Sequence, residues 1–167
     1  GRLTAVIVLR TSVYFGLMTF VPLYYVGVRS VSIAEANSAL TVMLLSGAVG
    51  SLLGGHLADR IGLKTVLVGS LYAIAPLILG FVYAPGSVGL VCLALIGITT
   101  IGSSAVLVLM GQAYLCMHLG VASGITLGLA IGLGGLAVPI FGVIADHFGL
   151  NAVLYSMVAL PIIAVII

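Results

Sequence analysis

The side chains able to do chemistry are few in this chain of 167 residues: five Lys+Arg, three Asp+Glu and three His. Arg10 is the one charge well inside an apolar segment, roughly 10 Å from its start at 1.5 Å per residue, with Thr11 beside it and Tyr14 one turn further on the same face. An ionisable group at that depth reads as a functional residue facing a cavity; the competing reading is a long side chain snorkelling to the headgroups. A second polar set, Thr99, Thr100, Ser103 and Ser104, with Gln112 beyond, recurs along one later segment. Those groups could meet a small molecule, or simply bond back to the carbonyls four residues earlier.

The acids point elsewhere. Glu35, Asp59 and Asp146 all fall at segment ends, so no carboxylate is expected at mid-depth to carry a proton. Ser123-Gly124 lacks the Gly-x-Ser-Gly setting of an intramembrane serine protease, and the one later histidine, His147, falls in a loop; without a base in reach no nucleophile is activated. His56 and Asp59 lack a third metal ligand. Gly132-Leu-Gly134-Gly135 lies inside an apolar span rather than after a strand, so it is no dinucleotide loop. No enzyme activity, cofactor or metal is expected.

The elements that hold these residues follow from composition. The chain is 63% hydrophobic and 5% charged, with a mean hydropathy of +1.46, whereas soluble domains carry about 25% charge. That excludes a soluble enzyme, a disordered linker and a disulfide scaffold, and a net charge of +2 without a basic cluster excludes nucleic acid as a partner. Cys92 and Cys116, 24 residues apart, read as unpaired. Crossing a bilayer takes roughly 20 apolar residues as helix. Polar interruptions at 28–35, 58–64, 84–87, 111–119 and 145–150 leave six such segments, near 3–27, 36–57, 65–83, 88–110, 120–144 and 151–167. The expected fold is all-α and integral to the membrane, six transmembrane helices joined by very short loops. The first segment is too long for a signal peptide, and a chain that begins at Gly1 and stops inside an apolar run reads as a fragment open at both ends.

Arg2, Arg60, Lys64 and His118 fall on one face and Arg29 on the other, which by the positive-inside rule puts both ends of the fragment in the cytoplasm, at the plasma (inner) membrane. Gly55-His-Leu-Ala58-Asp59-Arg60-Ile-Gly62-Leu63-Lys64 is echoed 87 residues on by Gly142-Val-Ile-Ala145-Asp146-His147-Phe-Gly149-Leu150-Asn151, with six identities in the 19 positions from Leu45 to Leu63. Lying on opposite sides, the two copies suggest a 3+3 inverted repeat, units about 1–83 and 88–167, as in many secondary transporters; chance likeness of two Gly-Ala-Asp turns is the competing explanation. Gly55 and Gly62 would allow a tight turn and close helix approach, and Asp59 would sit at the positive end of the third helix. Gly120, Gly124, Gly128 and Gly132 recur every fourth residue and suggest a close-packing helix face, static or sliding. Pro139 lies in the same helix.

The first copy resembles the signature loop of the major facilitator superfamily, G-x-L-a-D-R-x-G-R-K-x-x-l, at Gly55, Leu57, Ala58, Asp59, Arg60, Gly62, Lys64 and Leu67, with Leu63 where a basic residue is usual. Gly111-Gln112, Gly120-Val-Ala-Ser123-Gly124, Leu9-Arg10-Thr11-Ser12 and Phe20-Val-Pro22-Leu-Tyr24-Tyr25 are similar to the C-terminal half of fosmidomycin-resistance-type exporters, with Cys116 where proline is common. The resemblance implies one six-helix half of a twelve-helix transporter, partnered by the missing half, the bilayer and a small-molecule substrate, with protons as a candidate partner. It also implies that loop 55–64 is a conformational latch, and that the first and fourth helices line a cavity bearing Arg10, Thr11, Tyr14, Thr99, Thr100, Ser103 and Gln112. The function expected is alternating-access export of a small molecule, a drug or anionic metabolite; a six-helix channel or structural subunit is the alternative.

Overall fold

A computed structural model of the chain describes residues 2–84, 86–114 and 119–166, with side chains described for 5–84, 86–104, 106–110, 124, 128 and 131–165. The described residues form six helices: α1 (Arg2–Gly27), α2 (Ile33–Ile61), α3 (Leu63–Tyr83), α4 (Ser87–Tyr114), α5 (Leu119–Phe148) and α6 (Leu150–Ile166). α1 to α5 each contain a stretch apolar enough and long enough to cross a membrane, and α6 is a shorter apolar helix. The chain is an integral membrane protein built from helices, the form in which every backbone polar group of a span bonds within its own segment.

The helix ends differ from the sequence expectation in an instructive way. α2 starts at Ile33 rather than near 36, because Ser32 and Glu35 form a capping box: the Glu35 amide donates to Ser32 Oγ (3.3 Å) and the Ser32 amide to Glu35 Oε2 (3.2 Å). At its other end α2 runs through Ala58-Asp59-Arg60 to Ile61, and a single residue, Gly62, turns the chain into α3. Its φ of +92° is one an L side chain rarely adopts, and its amide caps the Ala58 carbonyl at 3.0 Å. Asp59 therefore sits in the last turn of α2, not at the start of α3 as the sequence suggested, because one glycine suffices for the reversal. The same construction recurs at Gly149, φ +85°, whose amide reaches the Ala145 carbonyl at 2.9 Å.

Packing is most extensive between α2 and α4, then between α3 and α4 and between α1 and α5; α3 and α1 also pack on α6. Glycines bring α2 and α4 into backbone contact. A Cβ on Gly50 would lie 2.5 Å from Ile98 Cα, one on Gly54 2.5 Å from the Gly102 carbonyl oxygen, and one on Gly97 would overlap the Met43 carbonyl. Such close approach supplies the van der Waals contact that holds helices together in lipid, where no hydrophobic drive operates. Across α1 and α5, Gly134 leaves room for Thr11 and Phe15. The largest buried cluster joins Val13, Leu17 and Val21 of α1 to Ile74 and Ile78 of α3, Leu93 of α4 and Met157 of α6.

Arg29, in the α1–α2 connection, closes one end of the bundle. One guanidinium nitrogen donates to the Phe81 and Ala84 carbonyls (2.6 and 2.7 Å), and the group lies 5.1–5.6 Å from the ring centroids of Tyr24, Tyr25 and Phe81. A cation at the carbonyl end of α3 complements the helix dipole, and the ring faces attract it further. The lone cation that sequence alone reads as an orientation marker is thus a tie between the ends of α1 and α3.

The glycine contacts make a testable distinction. Gly97→Val should cost at least about 1–3 kcal/mol by overpacking and lower the melting temperature of the purified protein. Gly69→Ala, in α3 with open space at its Cβ position, should leave it unchanged; equal effects of the two would contradict the backbone contact of α2 with α4.

Candidate substrate-facing site

Arg10 does not snorkel. It is 4% exposed, held on α1 against α4, where Nε donates to Ser103 Oγ and Nη2 to Ser104 Oγ, both at 2.9 Å. Each serine passes the interaction on by donating to its own helix backbone, Ser103 to the Thr99 carbonyl (2.7 Å) and Ser104 to the Thr100 carbonyl (3.3 Å). The hydroxyls bond back to their own helix, one of the two readings open on sequence grounds, and also accept from Arg10, since a hydroxyl can donate and accept at once. Among the described residues no carboxylate faces Arg10. Glu35, Asp59 and Asp146 are all exposed at helix ends, so the guanidinium rests on neutral oxygens with donors to spare.

The other polar residues do not converge on it. Thr11 is buried, donates to the Ile7 carbonyl (2.6 Å) and faces Gly134 of α5. Tyr14 is half-buried, its ring edge-on to Phe15. Thr100 is fully buried and its hydroxyl has no partner among the described residues. Thr99 bonds back to the Leu95 carbonyl (2.8 Å) and, with Ser103, lines a groove between α2, α3 and α4. Neighbours on a helix point about 100° apart: Thr99 turns to the groove and Ser104 to α1, while Ser103 touches both. Ser104, an exposed hydroxyl in contact with Arg10, stands out only once the cross-helix geometry is known. The side chain of Gln112 lies outside the described residues, as does His118.

At the helix ends, Asp59, Arg60 and Lys64 are all exposed, and among the described residues no ion pair joins them. Gly62 makes a tight turn at a φ of +92°, and beside Gly55 a Cβ would meet nothing within 4 Å among the described residues. At the opposite end Gly142 and Asp146 line a cleft of about 660 Å³ with Thr19, Leu23 and Pro139, while Gly149 forms the junction. The glycine stripe of α5 is likewise free: a Cβ at Gly124, Gly128 or Gly132 would meet nothing within 4 Å among the described residues. Among the described residues that set meets no neighbour, whereas glycines of α2 and α4, and Gly134 of α5, lie in close contact. The surroundings of Gly120 lie outside the described residues. Cys92 is a free thiol.

Six apolar helices with charge confined to their ends, apart from one buried cation on hydroxyls, define a polytopic helical membrane protein. The chain is homologous to transporters of the major facilitator type. It is 36% identical over 147 residues, 88% of its length, to an uncharacterized MFS-type transporter, YfnC, of Bacillus subtilis (strain 168). It is 29% identical over 163 residues, 96% of its length, to the fosmidomycin resistance protein of Escherichia coli (strain K12). A 61-residue stretch, 36% of the chain and 11% of the relative, is 34% identical to the multidrug transporter protein MdtP of Bacillus subtilis. The chain spans 36–40% of the length of the first two relatives. No family model and no solved structure matches it.

The tie between α1 and α4 can be measured. A double-mutant cycle of Arg10→Gln with Ser103→Ala, read by unfolding in detergent micelles, should give a coupling energy of about 0.6–1.7 kcal/mol, the range for interhelical hydrogen bonds in membranes. Additive effects would mean that the two side chains do not act together.

Proposed function

We propose that this chain is one six-helix half of a twelve-helix secondary transporter, the C-terminal half by its resemblance, which works by alternating access and exports a small molecule, a drug or an anionic metabolite. The observation that carries the reading is the pair of matched junctions: two single-glycine turns of positive φ, Gly62 and Gly149, 87 residues apart, each closing an Ala-Asp-x-x-Gly helix end. Helix pairing supports it as well. Exchanging α1–α3 for α4–α6 turns the α2–α4 contact into α5–α1 and the α3–α4 contact into α6–α1, all of which are present. Both features are expected of an inverted repeat, whose halves rock about a site at mid-depth.

In this reading the buried Arg10 is the positive counterpart of an anionic substrate group, exposed to it when α1 and α4 part. Asp59, Arg60 and Lys64 form the latch that weights one access state against the other, with the open face of α5 and the exposed Leu45, Val49 and Leu52 of α2 meeting the other half. The Lys64 end is cytoplasmic, since Arg60 and Lys64 outnumber the single Arg29 opposite, and the membrane is the plasma membrane. If transport is driven by protons, the acid that carries them belongs to the other half, because the three acids here lie at helix ends. No enzymatic step is proposed.

Reconstituted full-length protein should show saturable counterflow of substrate across the vesicle wall, lost in Arg10→Gln; single-channel conductance instead would establish a channel. Asp59→Asn should shift the balance of access states, altering by several-fold the rates at which thiol reagents label cysteines at the two faces. Unchanged labelling at both faces would remove the latch from the mechanism.

A further inference from the structure

We infer that the groove between α2, α3 and α4 is a binding site for one anionic phospholipid. α2 and α3 both lean on α4 but touch each other little, which leaves an apolar groove of about 410 Å³ floored by Ile98 and Gly102 and walled by Leu53 and Leu57 of α2 and Ala73 of α3. From Ile61 at the helix end to Gly50 it runs eleven residues along α2, about 16 Å of depth at 1.5 Å per residue.

A second hollow, about 450 Å³, adjoins it on α3 and is lined by Lys64, Thr65, Val68, Gly69 and Tyr72. The two share Thr65 and Gly69. Gly69 has no side chain and nothing within 4 Å of its Cβ position, so it forms a low saddle between two apolar channels lying side by side. Two channels divided by a saddle suit the two acyl chains of one lipid. Thr65, common to both, presents an exposed hydroxyl that makes no hydrogen bond among the described residues, and Lys64, next to it in sequence, lines the second hollow; Arg60 is exposed one turn away in sequence. Asp59 is the one acid at this end, so the local balance is positive, and a cationic side chain at the membrane surface attracts anionic headgroups. The phosphate is placed at Lys64 and Thr65, with one chain on each side of Gly69.

The test is native mass spectrometry of the purified full-length protein with phosphatidylglycerol and phosphatidylethanolamine of matched chains. The wild type should retain phosphatidylglycerol about fivefold better, the effect of one cation at the surface. Lys64→Gln should abolish that preference without changing phosphatidylethanolamine retention, and Lys64→Arg should keep it. Gly69→Leu should lower retention of both lipids, by filling the saddle; if it does not fold, Thr65→Phe, at an exposed position, is the second filler. A preference that survives Lys64→Gln, or retention that survives both fillers, would overturn the site, the latter being the result if the other half of the transporter covers the groove.

Discussion

Hydrocarbon offers no water, so each polar group at depth must find its partner inside the protein. That one constraint organises the structure. It makes every segment a helix, sends Glu35, Asp59, Arg60, Lys64 and Asp146 to helix ends, and makes hydroxyls fold back on their own carbonyls. Thr11, Thr99, Ser103 and Ser104 all do so. The buried Thr100 hydroxyl is left without a partner among the described residues, and Arg10 is the costliest group at depth, held by two hydroxyls rather than a carboxylate. A neutral cradle leaves the positive charge uncompensated, and on that the role proposed for Arg10 toward a transient anion rests. A permanent ion pair would have quenched it.

The same constraint shapes how the helices meet. Without a hydrophobic drive between apolar helices, adhesion depends on close van der Waals contact. The backbones of α2 and α4 achieve it through Gly50, Gly54, Gly97 and Gly102. The glycine face of α5 has the same composition and meets no neighbour among the described residues.

Much of this was legible in the sequence. Length and hydropathy give the six segments, since the spacing of the polar interruptions leaves room for nothing else. Gly62 and Gly149 announce themselves through the echo around them. The helix ends were less legible: a polar cluster such as Ala58-Asp59-Arg60 reads as a loop, yet it completes a helix because one glycine with positive φ can reverse the chain. The Ser32–Glu35 capping box was readable from its spacing and still lay within an assigned loop. Which glycines pack could not be read, because regular spacing is common to the open stripe on α5 and the contacts of α2, and only the partner helix separates them. The pairing of Arg10 with Ser103 and Ser104, 93 and 94 residues away, depends on how α1 crosses α4, which no local pattern encodes.

What joins these features is a buried cation set between two helices that are proposed to part. The most direct measurement is the accessibility of a single cysteine at Ser104, beside the Arg10 guanidinium, to impermeant thiol reagents applied from each side of sealed vesicles. Alternating access predicts labelling from either side, with substrate shifting the two rates in opposite directions. Simultaneous access from both sides, or rates that substrate leaves untouched, would contradict it.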